Sequence, residues 1–247
     1  FRCVAETAFG FSNPVAKPTT FDTQTKEGNF RKMNAYRKYL VEFIGTFFLI
    51  LTIGSTGTLN GSGVIPPLAI GGILMVMIYA GGPISGGHYN PAVTLAVLLR
   101  GGMPKRDAIP YMLAQIVGGI VGALAVLEFK HNLGPVPPFQ FRIHDLLLSE
   151  FLFTFALAYV VLNVATCKKT GGNSYFGLAI GGTVMAGAFA VGGTVCSGAF
   201  NPAVEIGLAC MKLTPWANSW MTILANLAGG AAAAGCFYLI HPKEDRD

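Results

Sequence analysis

Charge is what this chain has least of. Of its 247 residues, only 12% are Asp, Glu, Lys or Arg, against about a quarter in an ordinary soluble domain. Ten of these charges precede Val41 and five follow Ile240, which leaves 14 for the whole interior of the chain. Cysteine is sparse and scattered. Cys3, Cys167, Cys196, Cys210 and Cys236 never stand at C-x-x-C spacing, so neither a disulfide framework nor a bound metal is expected. The net charge of +5 comes without a dense basic run interleaved with aromatics, which excludes a nucleic-acid partner. No paired acid and base, nucleophile triad or phosphate loop is present, so an enzyme is excluded and no cofactor is expected. The first 35 residues hold no apolar run of signal-peptide length. They form a polar arm, and Phe1 in place of Met is expected of a fragment or a processed product.

Apolar residues are abundant. The chain is 52% hydrophobic with a mean hydropathy of +0.54. Six apolar segments, at 39–58, 64–82, 107–129, 144–166, 174–193 and 215–240, have the length that crosses a hydrocarbon core about 30 Å thick. Two shorter stretches, 90–99 and 201–211, each open on Asn-Pro-Ala. At about 1.5 Å per residue they reach halfway across. The prediction is an all-α integral membrane protein of six transmembrane helices plus two half-helices. A membrane domain spans 36–241, with a short polar tail at 242–247.

The domain is an internal repeat, about 36–130 and 143–240. Glu42-Phe43-Ile44-Gly45-Thr46-Phe47 in the first half returns in the second as Glu150-Phe151-Leu152-Phe153-Thr154-Phe155. Ser85 to Val93 returns, at nearly the same offset, as Cys196 to Val204. Three spans per half is an odd number, so the second half is inverted, and the functional site is expected at the midplane between halves. Eleven basic residues flank one membrane face against three (Lys130, Arg142, Lys212) on the other, which puts both termini on the cytoplasm-like side.

In each Asn-Pro-Ala, Asn suits a helix N-cap, Pro suits the first helical position, and Ala is small enough for two helix ends to meet. If Asn90-Pro91-Ala92 meets Asn201-Pro202-Ala203, two carboxamides and two helix N-termini face one point. Their partial positive charge repels cations and orients a passing neutral solute. Either motif alone is most simply a capped helix; the duplication in an inverted repeat is what points to function.

Together with Glu42-x-x-Gly45-Thr46, Ser85-Gly86-x-His88-x-Asn90-Pro91-Ala92-Val93-Thr94 and Ala114-Gln115-x-x-Gly118-Gly119, the motifs resemble the aquaporin, or major intrinsic protein, family from about Tyr36 to Tyr238. The resemblance implies an hourglass pore for water and small neutral solutes in each subunit of a homotetramer, embedded in a lipid bilayer. It also implies that Glu42 and Glu150 accept hydrogen bonds from the pore loops, with His88 organising the first loop. By the family's spacing, the filter positions are Ile70, Phe189 (or Ala188), Gly198 and Val204. Water-selective relatives carry Arg where Val204 stands, so a filter admitting urea, ammonia, peroxide or glycerol is expected. Cys196 is either a lumen-facing mercurial target or a small buried residue. Gly118, Gly119, Gly122, Gly229, Gly230 and Gly235 read as close-packing positions. The competing readings are a closed or narrow structural subunit, whose N-terminal arm docks on a neighbouring membrane protein, and a secondary transporter, for which Glu42, Glu150 and Glu205 are the few candidate coupling groups.

Overall fold

The structure, a computed structural model, describes residues 20–57, 64–130 and 141–242, with side chains from residue 35 onward. The backbone of the arm at 1–19, its side chains at 1–34, on which a docking surface is expected, and the tail at 243–247 lie outside the described residues. The chain divides into two units, Phe1–Ala35 and Tyr36–Asp247. Among the described residues, eight α-helices follow in order: α1 Thr20–Gly57, α2 Ile65–Ser85, α3 Pro91–Arg100, α4 Lys105–Phe129, α5 Ile143–Ala165, α6 Phe176–Val191, α7 Pro202–Cys210 and α8 Trp216–Ile240. The first helix begins well before its apolar part, Ala35–Gly57.

Five of these helices are long and apolar enough to cross a membrane; α6, at 16 residues, is shorter than the segment expected from the sequence. It ends at Val191 because Gly192 leaves helical geometry (φ −65°, ψ 129°) and Gly193 turns left-handed at φ +71°. The chain then spends residues 191–196 in a tight turn, where the N–H groups of Val195 and Cys196 both bond Val191 O.

The two half-helices start where their sequences demand. Asn90 is extended (φ −156°) and its Oδ1 accepts from Ala92 N at 2.8 Å; Asn201 does the same (φ −163°) for Ala203 N at 2.9 Å. Each Pro fills the first helical position, where a missing N–H costs nothing.

Polarity runs inside out relative to a soluble protein. Ile109, Leu113, Val117 and Leu124, at helical spacing on α4, face outward, and so do Leu40, Ile44 and Phe48 on α1. Fully buried instead are Glu42, Thr46, Gln115, Glu150, Thr154 and Asn226. Lipid cannot solvate such groups, so they must satisfy one another.

Packing follows the repeat and crosses it. Half-helix α3 lies on α8, and α7 lies on α4, so each half-helix rests on the last span of the other half. Glycine makes these approaches possible: a Cβ on Gly230 would lie 2.5 Å from Ala92 O, and one on Gly119 would lie 3.0 Å from Ala203 O. Gly118 and Gly229 perform the same service against the backbones of Phe43 and Phe151. Gly235 does not, since a Cβ there meets nothing within 4 Å. Its expected packing role is absent from the described residues.

Candidate functional site

The two pore loops are each hung from one buried carboxylate. Glu42 Oε1 accepts from Ser85 Oγ (2.7 Å) and His88 N (3.0 Å), and its Oε2 accepts from Tyr89 N (2.7 Å) and Gln115 Nε2 (2.7 Å). In the second half, Glu150 Oε1 accepts from Ser197 Oγ (2.9 Å) and Ala199 N (3.0 Å), and Oε2 from Phe200 N (2.7 Å) and Asn226 Nδ2 (2.9 Å). Four donors per carboxylate offset the cost of burying it away from water. The sequence reading assigns no such role to Gln115 or Asn226. The signal is their spacing, which is the same as that between Asn90 and Asn201.

Tyr89 and Phe200 precede the two Asn residues in left-handed backbone, at φ 48° and φ 47°. Side chains adopt this region rarely and at a cost of order 1–3 kcal/mol. The twist turns each residue's carbonyl toward the opposite loop. Asn90 Nδ2 donates to Phe200 O (2.8 Å) and Asn201 Nδ2 donates to Tyr89 O (2.9 Å). The two Asn-Pro-Ala motifs therefore meet, tied crosswise.

A cavity runs past this junction, lined in pairs related by the repeat. Leu49 answers Leu157, Ile53 answers Val161, Ile70 answers Ile180, and Leu74 answers Val184. Val93 with Val204, Gly87 with Gly198, His88 with Ala199, and Asn90 with Asn201 complete the wall, together with Tyr89. No carboxylate, lysine or arginine lines it. The space open to the centre of a water molecule is about 20 Å³, little more than one such sphere needs.

The direction of the His88 ring follows from its neighbours. Gln115 Nε2 donates to Thr94 Oγ1 (2.9 Å), and the same oxygen lies 3.1 Å from His88 Nδ1, which holds that edge of the ring against α3.

Ile70, Gly198 and Val204 all line the cavity; Phe189 does not. Phe189 is 48% exposed, while the cavity face of α6 is carried by Ile180 and Val184. One turn beyond Val184 comes Ala188, half-buried, so the alternative position continues that face and Phe189 points away from it. Cys196 is fully buried beside Leu146 and Phe200, where its Sγ accepts from Gly198 N at 3.2 Å. It does not line this cavity, in keeping with the buried alternative. Treatment of proteoliposomes with a mercurial is accordingly expected to leave a Cys196→Ser variant and the parent equally permeable. Faster inhibition of the parent would place the thiol in the lumen.

Residues 28–238 match the family model described as Major intrinsic protein. The chain belongs to the major intrinsic protein family. This family member is 37% identical over 209 residues to "Glycerol uptake facilitator protein-like 6" of Lactiplantibacillus plantarum, covering 81% of this chain and 96% of that protein. It is 36% identical over 216 residues to "Aquaporin NIP1-4" of Oryza sativa subsp. japonica, covering 84% and 78%. The solved aquaglyceroporin of Plasmodium falciparum superposes with a TM-score of 0.70 at 20% identity, covering 83% of this chain and 96% of that one, and so shares the fold. As a major intrinsic protein the chain is a multi-pass membrane channel for water and small solutes, not an enzyme.

Proposed function

We propose that this channel conducts water together with small neutral solutes of the urea, ammonia, peroxide and glycerol class, through a constriction built from Ile70, Ala188, Gly198 and Val204. The observation that carries the reading is Val204. It is 3% exposed, lines the cavity, and directly follows the Asn201-Pro202-Ala203 cap. An arginine there would add bulk, five donors and a permanent charge; valine leaves an apolar wall beside the carboxamides of Asn90 and Asn201. Each carboxamide keeps a second N–H beyond the one tied to the opposite loop, and the N-termini of α3 and α7 sit behind them. A neutral solute finds donors there, and a proton or metal ion meets two positive helix ends. The name of the bacterial relative, a glycerol uptake facilitator-like protein, supports a solute range wider than water. Assembly as a homotetramer, and both termini on the cytoplasm-like side, belong to the same proposal.

The test is stopped-flow light scattering on proteoliposomes, first with a non-permeant osmolyte and then with glycerol and urea. Val204→Arg is expected to lower glycerol and urea uptake by on the order of tenfold while water flux stays within a few-fold of the parent. Solute uptake equal in the two proteins would reject the valine filter, and shrinkage no faster than in empty vesicles would favour a closed or structural member.

A further inference from the structure

Glu205 takes part in none of the interactions described so far. It is 2% exposed, sits in the first turn of α7, and does not line the cavity. Among the described residues it forms no ion pair. An acidic residue in a helix's first turn has the favourable end of the dipole, but the carboxyl of this one is turned toward a second carboxylate. Ser197 Oγ lies 2.9 Å from Glu150 Oε1 and 3.4 Å from Glu205 Oε2.

One hydroxyl has one proton, and it cannot serve two carboxylates. The shorter contact assigns that proton to Glu150, whose other three donors are Ala199 N, Phe200 N and Asn226 Nδ2. Two further hydroxyls face Glu205: Ser219 Oγ, which lies 3.2 Å from Pro215 O, and Thr214 Oγ1, which is buried without a hydrogen-bond partner. Among the described residues no cation balances the pair. Glu150 on α5 and the Cys196 thiol, next in the chain to Ser197, are the titratable groups on this side of α7. From α4 comes Gly119, from α8 comes Ser219, and α3 carries no ionisable group before Arg100 in its last turn.

The repeat shows what Glu205 replaces. Its counterpart in the first half is Thr94, four positions after Asn90 as Glu205 is after Asn201, which bridges Gln115 to His88 and so braces the first loop from behind. In the second loop Ala199 stands where His88 stands in the first, and no ring is available to brace. The longer Glu205 side chain reaches past that position to Ser197 instead.

We propose that Glu205 is a positioning residue for the second pore loop, acting as a neutral carboxylic acid that donates to Ser197 Oγ, and that loss of its proton displaces Gly198 and narrows the pore. The relay runs from Glu205 O–H to Ser197 Oγ, and from Ser197 O–H to Glu150 Oε1. Deprotonation, with the proton passing to water, leaves two carboxylates confronting one hydroxyl. The loop yields because Ser197 is only half-buried, and the lumen has no room to absorb an inward shift of its neighbour Gly198. Of the constriction proposed above, only the place of Gly198 in its wall is needed here.

Two readouts test it on the full chain in proteoliposomes. Water flux of the parent is expected to fall several-fold as pH rises from about pH 5 to about pH 9. Glu205→Gln, whose amide donates to Ser197 at every pH, is expected to give a flat profile at the parent's acid-side level. Glu205→Leu is expected to be low throughout. Independently of flux, infrared difference spectra of the parent at neutral pH are expected to show a carboxylic-acid carbonyl band that Glu205→Gln lacks. A Gln variant with the parent's pH slope, or a carboxylic-acid band that survives the substitution, overturns the proposal. Should the parent conduct nothing, the band alone decides.

Discussion

Replacing Glu42 with Leu is expected to abolish water flux and to reduce the yield of folded protein, with Glu150→Leu behaving alike. Glu42 is fully buried and accepts from Ser85, His88, Tyr89 and Gln115. An apolar side chain of similar size leaves all four donors unpaired at membrane depth, at about 1–3 kcal/mol each. Set against a net stability of about 5–15 kcal/mol, that is enough to unmake the loop and strain the whole domain. Glu42→Gln separates the charge from the geometry. It keeps one acceptor oxygen and offers an N–H to donors that need acceptors, so it is expected to be intermediate. Stopped-flow flux and thermal unfolding in detergent report both effects. A leucine variant with the parent's flux would show that the backbone of the loops holds without its carboxylate.

The second large effect is steric. Gly230→Val is expected to cut flux by on the order of tenfold and to lower the unfolding temperature, because any Cβ at Gly230 starts 2.5 Å from Ala92 O and the branched side chain has nowhere to turn. Overpacking of this kind costs about 1–3 kcal/mol, relieved only by moving α8 away from α3. Movement of α3 carries Asn90 with it, which is why a packing defect is read out as lost permeation. Gly235→Val, on the same helix but with open space at its Cβ, is the control and is expected to conduct as the parent does. Equal losses in both variants would mean that helix propensity, not contact with Ala92, was at stake.

The helices, their inverted repetition and the caps on the half-helices are legible in the sequence because each rests on local chemistry. Apolar length, an odd number of spans, and Asn before Pro are all visible along the chain. Register on α6 is not. A helix turns about 100° per residue, and the length of the 191–196 turn cannot be read in advance, so Phe189 and Ala188 exchange inside for outside. Cys196 is ambiguous for a related reason, since its neighbour Leu146 comes from α5, distant in the chain. Asn226 can be found from the offset of the repeat alone. Glu205 cannot, because Ser197 and Glu150 reach it from two other elements.

The crosswise tie between the loops has a consequence for how such a chain is made. Asn90 is anchored on Phe200 and Asn201 on Tyr89, while α3 rests on α8. When a ribosome has delivered only the first repeat, its loop has no opposite carbonyl to bond and its half-helix has no bed to lie on. The left-handed turn at Tyr89 is then unsupported. The first half is thus held unfinished until the final span is inserted, and closing the pore's centre is among the last events of biogenesis.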